Sequence, residues 1–239
     1  MIQLRIAVLS DIGRVRQNNE DRYVRDEKLG LYGVADGVGG QPGGAEAAEL
    51  ALASLVKSLQ TGTEKYPDLA QLVRVANQAV YKLGETISPR TGIGSTLTVG
   101  HIRGDLLVVA HVGDSRCYFM RNGQLHPLTT DHSVENEILA RRARGETVYF
   151  HEGNRNALTR CIGQPPPLEV DIVTRNLLTG DRVLFCTDGI TRLVSDEEIA
   201  EFLARPTAPE TLLREIVTLA IRRGGPDNAT GVLLQVEGA

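Results

Sequence analysis

Acidic residues recur along this chain wherever it leaves an apolar stretch or enters a turn. Glu20 and Asp21 close the polar run "RVRQNNED", Asp36 follows "LYGVA", Asp114 sits in "VGDSR", Asp188 follows "VLFCT", and Asp227 stands in "GGPDN". Turn formers beside each would hold its carboxylate clear of a core. Asp-Gly alone is a common turn dipeptide, so the weight lies in the recurrence. Carboxylates and carbonyls without Cys or paired His are hard oxygen donors that suit Mg²⁺ or Mn²⁺ better than zinc or copper. Gathered acids repel one another unless a divalent ion neutralises them. Metals about 3.5–4 Å apart can share a water, lower its pKa and aim it at a phosphoryl centre. Arg16, just upstream of Glu20 and Asp21, offers the planar fork that a phosphate dianion accepts.

The elements that must carry these residues can be read from periodicity. Leu4 to Leu9 alternates as an opening strand, a second begins near Tyr23, and "LYGVA" is a short buried strand that delivers Asp36. Leu52, Leu55, Val56 and Leu59 repeat at helical spacing, as do Leu69, Leu72, Val73, Ala76, Val80 and Leu83 between Pro67 and Ile87. From Ser95 the period becomes that of strands: "STLTVGHI", "LLVVAHV" and "RCYFM" are joined by short turns, which predicts consecutive antiparallel pairing. Asn122-Gly123 is a hairpin signal. A helix through Val134, Ile138 and Leu139 follows "TTDHS", and the polar stretch to Asn156 suggests a mobile flap over 133–156. Ser195 with Glu198, and Thr207 with Glu210, each have capping-box spacing. His101 and His126 read as surface residues, Asn18 as a turn former, and His132 as either a helix cap or a residue facing the site. The whole suggests one α+β layered domain over 1–239.

Composition excludes several classes. The 239 residues are 41% apolar with a net charge of −4 and no long basic block, which argues against nucleic acid as a partner. Arg141, Arg142 and Arg144 read as a solvated helix face. No apolar run approaches the roughly 20 residues of a membrane span, and Arg5 breaks the N-terminal apolar stretch too early for a signal peptide, so a cytoplasmic monomer is expected. Three scattered cysteines give neither a disulfide framework nor a zinc site, and Cys186 reads as packing.

Taken in order, "SDIGRVRQNNED", "VADGVGG", "GSTLTV", "AHVGDSR", "TTDHS", "LFCTDG" and "GGPDNATGVLL" resemble the motifs of the metal-dependent protein phosphatases (PPM, type 2C), in their compact bacterial branch. The resemblance spans nearly the whole chain. It implies a four-layer αββα sandwich of two antiparallel sheets, and a Ser/Thr phosphatase that opposes bacterial Ser/Thr kinases on phosphorylated proteins. It further implies a first metal on Asp36, Asp188 and Asp227, and a second on Asp36, the Gly37 carbonyl and the Glu20/Asp21 pair. A weaker third ion would sit at Asp114 and Asp188, and Arg16 would bind phosphate. Two departures stand out. Where many members carry a histidine in or after the Asp-Gly-x-Gly-Gly turn, this chain has Val38 and Gln41, which leaves His132 as a possible general acid. Glu20 stands where many have glutamine. The alternative, a catalytically silent phospho-binding module of the same fold, would be expected to lose metal aspartates, and Asp36, Asp188 and Asp227 are all present. A haloacid dehalogenase-like hydrolase would need an aspartate two residues before Asp36 or Asp188, where Val34 and Cys186 stand.

Overall fold

The computed structural model describes residues 2–38, 43–64, 66–149 and 152–238. Gln41 therefore lies outside the described residues. Strands β1 (Gln3–Asp11), β10 (Ala229–Gly238), β9 (Arg182–Cys186), β6 (Arg116–Arg121) and β7 (Gln124–Pro127) lie in that order in one sheet. β2 (Asp21–Asp26), β3 (Leu31–Asp36), β4 (Leu97–Arg103), β5 (Leu106–Val112) and β8 (Asp171–Asn176) form the other, and all pairings are antiparallel.

The alternation of the strands decides the layers. In β10, Val232, Leu234 and Val236 join Tyr32, Val34 and Phe185 between the sheets, while Leu233 points out toward a helix layer. Gly100 makes room in that central layer, since a Cβ there would lie 2.6 Å from the Phe185 ring. Helices α1 (Gly44–Thr61) and α2 (Leu69–Ile87) cover the second sheet with Leu52, Leu55, Val73 and Val80. Helices α5 (Asp196–Ala204) and α6 (Pro209–Arg222) cover the first with Ile199, Leu212, Leu213 and Ile216. The result is the expected four-layer α+β sandwich. Helix α3 (Val134–Ala143) and the single turn α4 (Asp188–Thr191) complete the helices that bear on the site.

Local signals were mostly honoured. Asn122 and Gly123 both have positive φ, 51° and 76°, and turn β6 into β7. The Ser195–Glu198 capping box forms in both directions. Three expectations fail. The strands from Ser95 do not form one meander: β4 pairs with β5, but β6 crosses to the other sheet, so Asp114 lies at a crossover between sheets. No capping box forms at Thr207, because Pro209 starts α6 and its fixed φ makes Ala208 the N-cap. His101 is buried in β4, 3% exposed, beside its cross-strand partners Leu31 and Val108, which pack into the layer under α1 and α2. The segment 133–156 holds α3 and one turn of 3-10 helix, tied back by the N–H groups of Val134 and Glu135 to the carbonyls of Ala157 and Arg155.

Candidate active site

Antiparallel register brings the acids to one end of the sandwich. Asp21 pairs with Asp36 across β2 and β3, Asp11 at the end of β1 lies opposite Ala229 at the start of β10, and Cys186 at the end of β9 lies opposite Gly231. Asp36, Asp114, Asp188 and Asp227 consequently line one cleft of about 800 Å³, together with Arg16 and Gly37. Glu20 and Asp21 are not on its lining. Asp21 is 4% exposed, and its Oδ2 accepts a hydrogen bond from the Thr187 hydroxyl at 2.9 Å.

The loop carrying Arg16, Glu20 and Asp21 is held by a residue the motifs did not single out. Asn228 donates from Nδ2 to the carbonyls of Ile12 (2.9 Å) and Asn18 (3.0 Å), and its Oδ1 accepts from the Glu20 amide at 2.8 Å. Close approach of backbones does the rest: a Cβ on Gly13, at φ +80°, would meet the Asp227 carbonyl at 2.3 Å. On the opposite wall the Thr96 hydroxyl accepts from the Asp36 amide at 2.9 Å, and the Thr96 amide and Ser95 hydroxyl donate to the Asp36 carbonyl. Asn228 sits beside Asp227 in "PDN", and Ser95-Thr96 lie in "GST", so both were quoted as motif letters without a role.

These carboxylates are poorly satisfied. Burial pushes Asp36 well above the usual carboxylate range, and Asp21, Asp188, Asp114 and Asp227 push it further. Burial takes Asp21 up to about 7 against the hydrogen bonds of Thr230 and Thr187, and takes Asp114 up to about 7 with help from Asp188. Asp188 and Glu20 are raised for the same first reason, opposed by Arg192 and Arg16 respectively. Asp21 Oδ1 and Asp188 Oδ1 are buried and accept no hydrogen bond. A buried anionic oxygen without a donor is costly, and a cation relieves that cost.

Among the described residues, no three acid, imidazole or thiol side chains converge as a finished metal cage. The acids share a space rather than a vertex, and guanidinium groups hold some of their oxygens. Arg16 Nη2 lies 2.8 Å from Asp227 Oδ2, and Arg192 Nη2 lies 2.5 Å from Asp188 Oδ2 and 3.6 Å from Asp114 Oδ2. Arg192 had no sequence signal of its own, because it reaches Asp188 only through one turn of helix.

His132 is not on the cleft lining. Its Nδ1 accepts from the Gly113 amide at 3.1 Å, its Nε2 lies 3.2 Å from Asp171 Oδ2, and its ring packs 4.6 Å from that of His111. Since Nδ1 is an acceptor, the ring proton sits on Nε2 and donates to Asp171. Burial lowers its pKa, and the hydrogen bond to Asp171 opposes that shift. Val38 does line the cleft, where a histidine was missed in the sequence, and the lining contains no histidine among the described residues.

Similarity to known proteins extends over nearly the whole chain. A family model described as protein phosphatase 2C matches residues 9–229. Protein phosphatase PhpP of Streptococcus pneumoniae is 33% identical over 244 residues, covering 98% of each chain. The serine/threonine protein phosphatase PstP of Mycobacterium tuberculosis is 35% identical over 236 residues, which are 98% of this chain and 45% of that one. The crystal structure of the PstP catalytic domain in complex with 2 manganese ions superposes with a TM-score of 0.85 at 33% identity, covering 99% of this chain and 100% of that one.

Proposed function

The chain belongs to the protein phosphatase 2C family, and from that premise we propose that it hydrolyses phosphoserine and phosphothreonine on proteins, using Mg²⁺ or Mn²⁺ held in the cleft. The observation that carries this reading is the pair of buried, donorless oxygens, Asp21 Oδ1 and Asp188 Oδ1, beside an Asp36 that burial and neighbouring acids hold far above its ordinary pKa. Such a set fits hard divalent ions. Asp36, Asp188 and Asp227 would hold one, and Asp36, the Gly37 carbonyl and the Glu20/Asp21 pair a second. Bound there, the ions would supply a nucleophile from water at neutral pH and offset phosphoryl charge.

The chain's own groups do the rest. Arg16 gives Asp227 one nitrogen, and its guanidinium has further N–H donors to orient a phosphate dianion at the cleft. Thr187 fixes Asp21 from behind, and Thr96 and Ser95 fix the backbone of Asp36. With no histidine among the described lining residues, the departing serine or threonine oxygen takes its proton from water. Phosphorylated proteins, and a Ser/Thr kinase whose products they are, are the proposed partners. No helix is long and apolar enough to cross a membrane among the described residues.

The test is phosphate release from a phosphoserine and a phosphothreonine peptide, with Mn²⁺, with chelator, and with Mn²⁺ restored. Turnover that needs the metal and returns with it is expected. Full turnover in metal-free buffer would overturn the mechanism, and a folded, Mn²⁺-binding protein that releases no phosphate would favour the silent phospho-binding module.

A further inference from the structure

Arg192 lies near both acids, Asp114 and Asp188, to which the resemblance gives a third metal. Its amide donates to the Asp188 carbonyl at 2.9 Å, closing the turn of α4 so that its guanidinium returns to the Asp188 carboxylate. That guanidinium takes Asp188 Oδ2 at 2.5 Å and stands 3.6 Å from Asp114 Oδ2, whereas Asp188 Oδ1 is left without a partner. One oxygen of Asp188 is thus paired and the other is not. Behind Arg192 lies a small pocket of about 210 Å³ that Asp114, Asp131 and Glu135 also line. The other cation on that pocket, Arg116, is committed to Asp131 through Nε at 2.8 Å and Nη2 at 2.7 Å. Arg192 is accordingly the cation that Asp114 meets.

A divalent ion bridging Asp114 and Asp188 needs an oxygen from each, and Arg192 lies against one oxygen of each. A tethered cation competes at the high effective concentration of an intramolecular partner, while a weak ion must be drawn from solution. Loss of that ion's place leaves Asp188 Oδ1, Asp36 and Asp227 available to the core pair. We propose that the Arg192 guanidinium fills the position between Asp114 and Asp188, so that the third divalent site is closed in this chain and opens only when Arg192 is removed. This rests on the metal reading of the cleft given above.

The experiment counts bound Mn²⁺ per chain by calorimetry, and by loss of the free-ion electron paramagnetic resonance signal. It compares wild type, Arg192→Gln, Arg192→Lys and the double variant Arg192→Gln/Asp114→Asn, each first shown to unfold cooperatively. Wild type and Arg192→Lys are expected to take up two ions, Arg192→Gln to gain one weaker ion, and the double variant to lose that gain. Three ions in both wild type and Arg192→Gln, or two in both, would overturn the inference while leaving the core site standing. No Mn²⁺ uptake by folded wild type would overturn the metal reading itself.

Discussion

Strand β9 is flanked by an aspartate at either end, and the fold treats the two in opposite ways. Asp181 and Asp188 are comparably buried, at 2% and 8% exposure. Asp181 is saturated: Arg121 reaches Oδ1 at 2.8 Å and Oδ2 at 2.6 Å, and the Leu178 amide adds a bond to Oδ2 at 2.7 Å. Asp188 has one guanidinium on Oδ2, nothing on Oδ1, and three further acids across the cleft. Burial does not separate these two carboxylates. The number of donors does, because a fully bonded anion is stable as folded, whereas an underbonded one stores a demand that a ligand can meet.

The sharpest way to test that contrast is to remove charge at each kind of site. Asp36→Asn is expected to cost roughly 10³-fold in kcat with a Mn²⁺-loaded enzyme, about 4 kcal/mol of barrier, with thermal stability in chelator unchanged or higher. A variant with near wild-type kcat would show that the unsatisfied acids are not the active ones. Asp181→Asn should do the reverse. Leaving Arg121 without its anion should cost about 3 kcal/mol by denaturant titration, while kcat per folded molecule holds. Activity loss without destabilisation would break the comparison.

Arg16 lies between the two types, since it is paired yet exposed on the cleft. Arg16→Ala is expected to raise KM for a phosphopeptide roughly 10- to 100-fold, the equivalent of one or two charged hydrogen bonds, while calorimetric Mn²⁺ affinity holds. Lysine should rescue in part, lacking the fork. An unchanged KM would take Arg16 out of the phosphate site.

A smaller effect should appear in stability against pH. Asp21 and Asp114, pushed up to about 7 from an unfolded value of about 3.9, bind more protons when folded than when unfolded across that window. Metal-free stability from these groups therefore falls as pH rises through it. Buried neutral His101, His111 and His132, whose pKa values are lowered, act in the opposite sense below about 6.5, so the measure is a difference. The rise in Tm on adding Mn²⁺ should grow from pH 5 to pH 7.5, and a flat difference would deny the acids their role.

The smallest effect is expected at His132, the imidazole counterpart of Asp181 in having both polar atoms engaged. His132→Ala should lower kcat about equally, by roughly a few-fold, for a phosphoserine peptide and for p-nitrophenyl phosphate. A missing proton donor would instead cost the peptide reaction roughly 10²-fold or more and spare the better leaving group.

What the sequence determined by itself was local or repetitive. The strand and helix periods, the Asn122-Gly123 hairpin, the Ser195–Glu198 cap, and the acids in turns all depend on residues within a few positions of one another, and they were legible for that reason. The ordered motifs carried the family and the layered fold. Tertiary structure decided which acids lie open and which are saturated. Asp181 reads in sequence much as Asp188 does, yet Arg121 reaches it from another strand. Asn228 ties down a loop more than 200 positions away, His132 turns its ring to Gly113 and Asp171, and Arg192 comes within 3.6 Å of Asp114. Each outcome depends on sheet register and on contacts between distant parts of the chain. Hydrophobic period records which face of a strand is buried, but not which strand will lie beside it, nor how many donors its end residue will meet there.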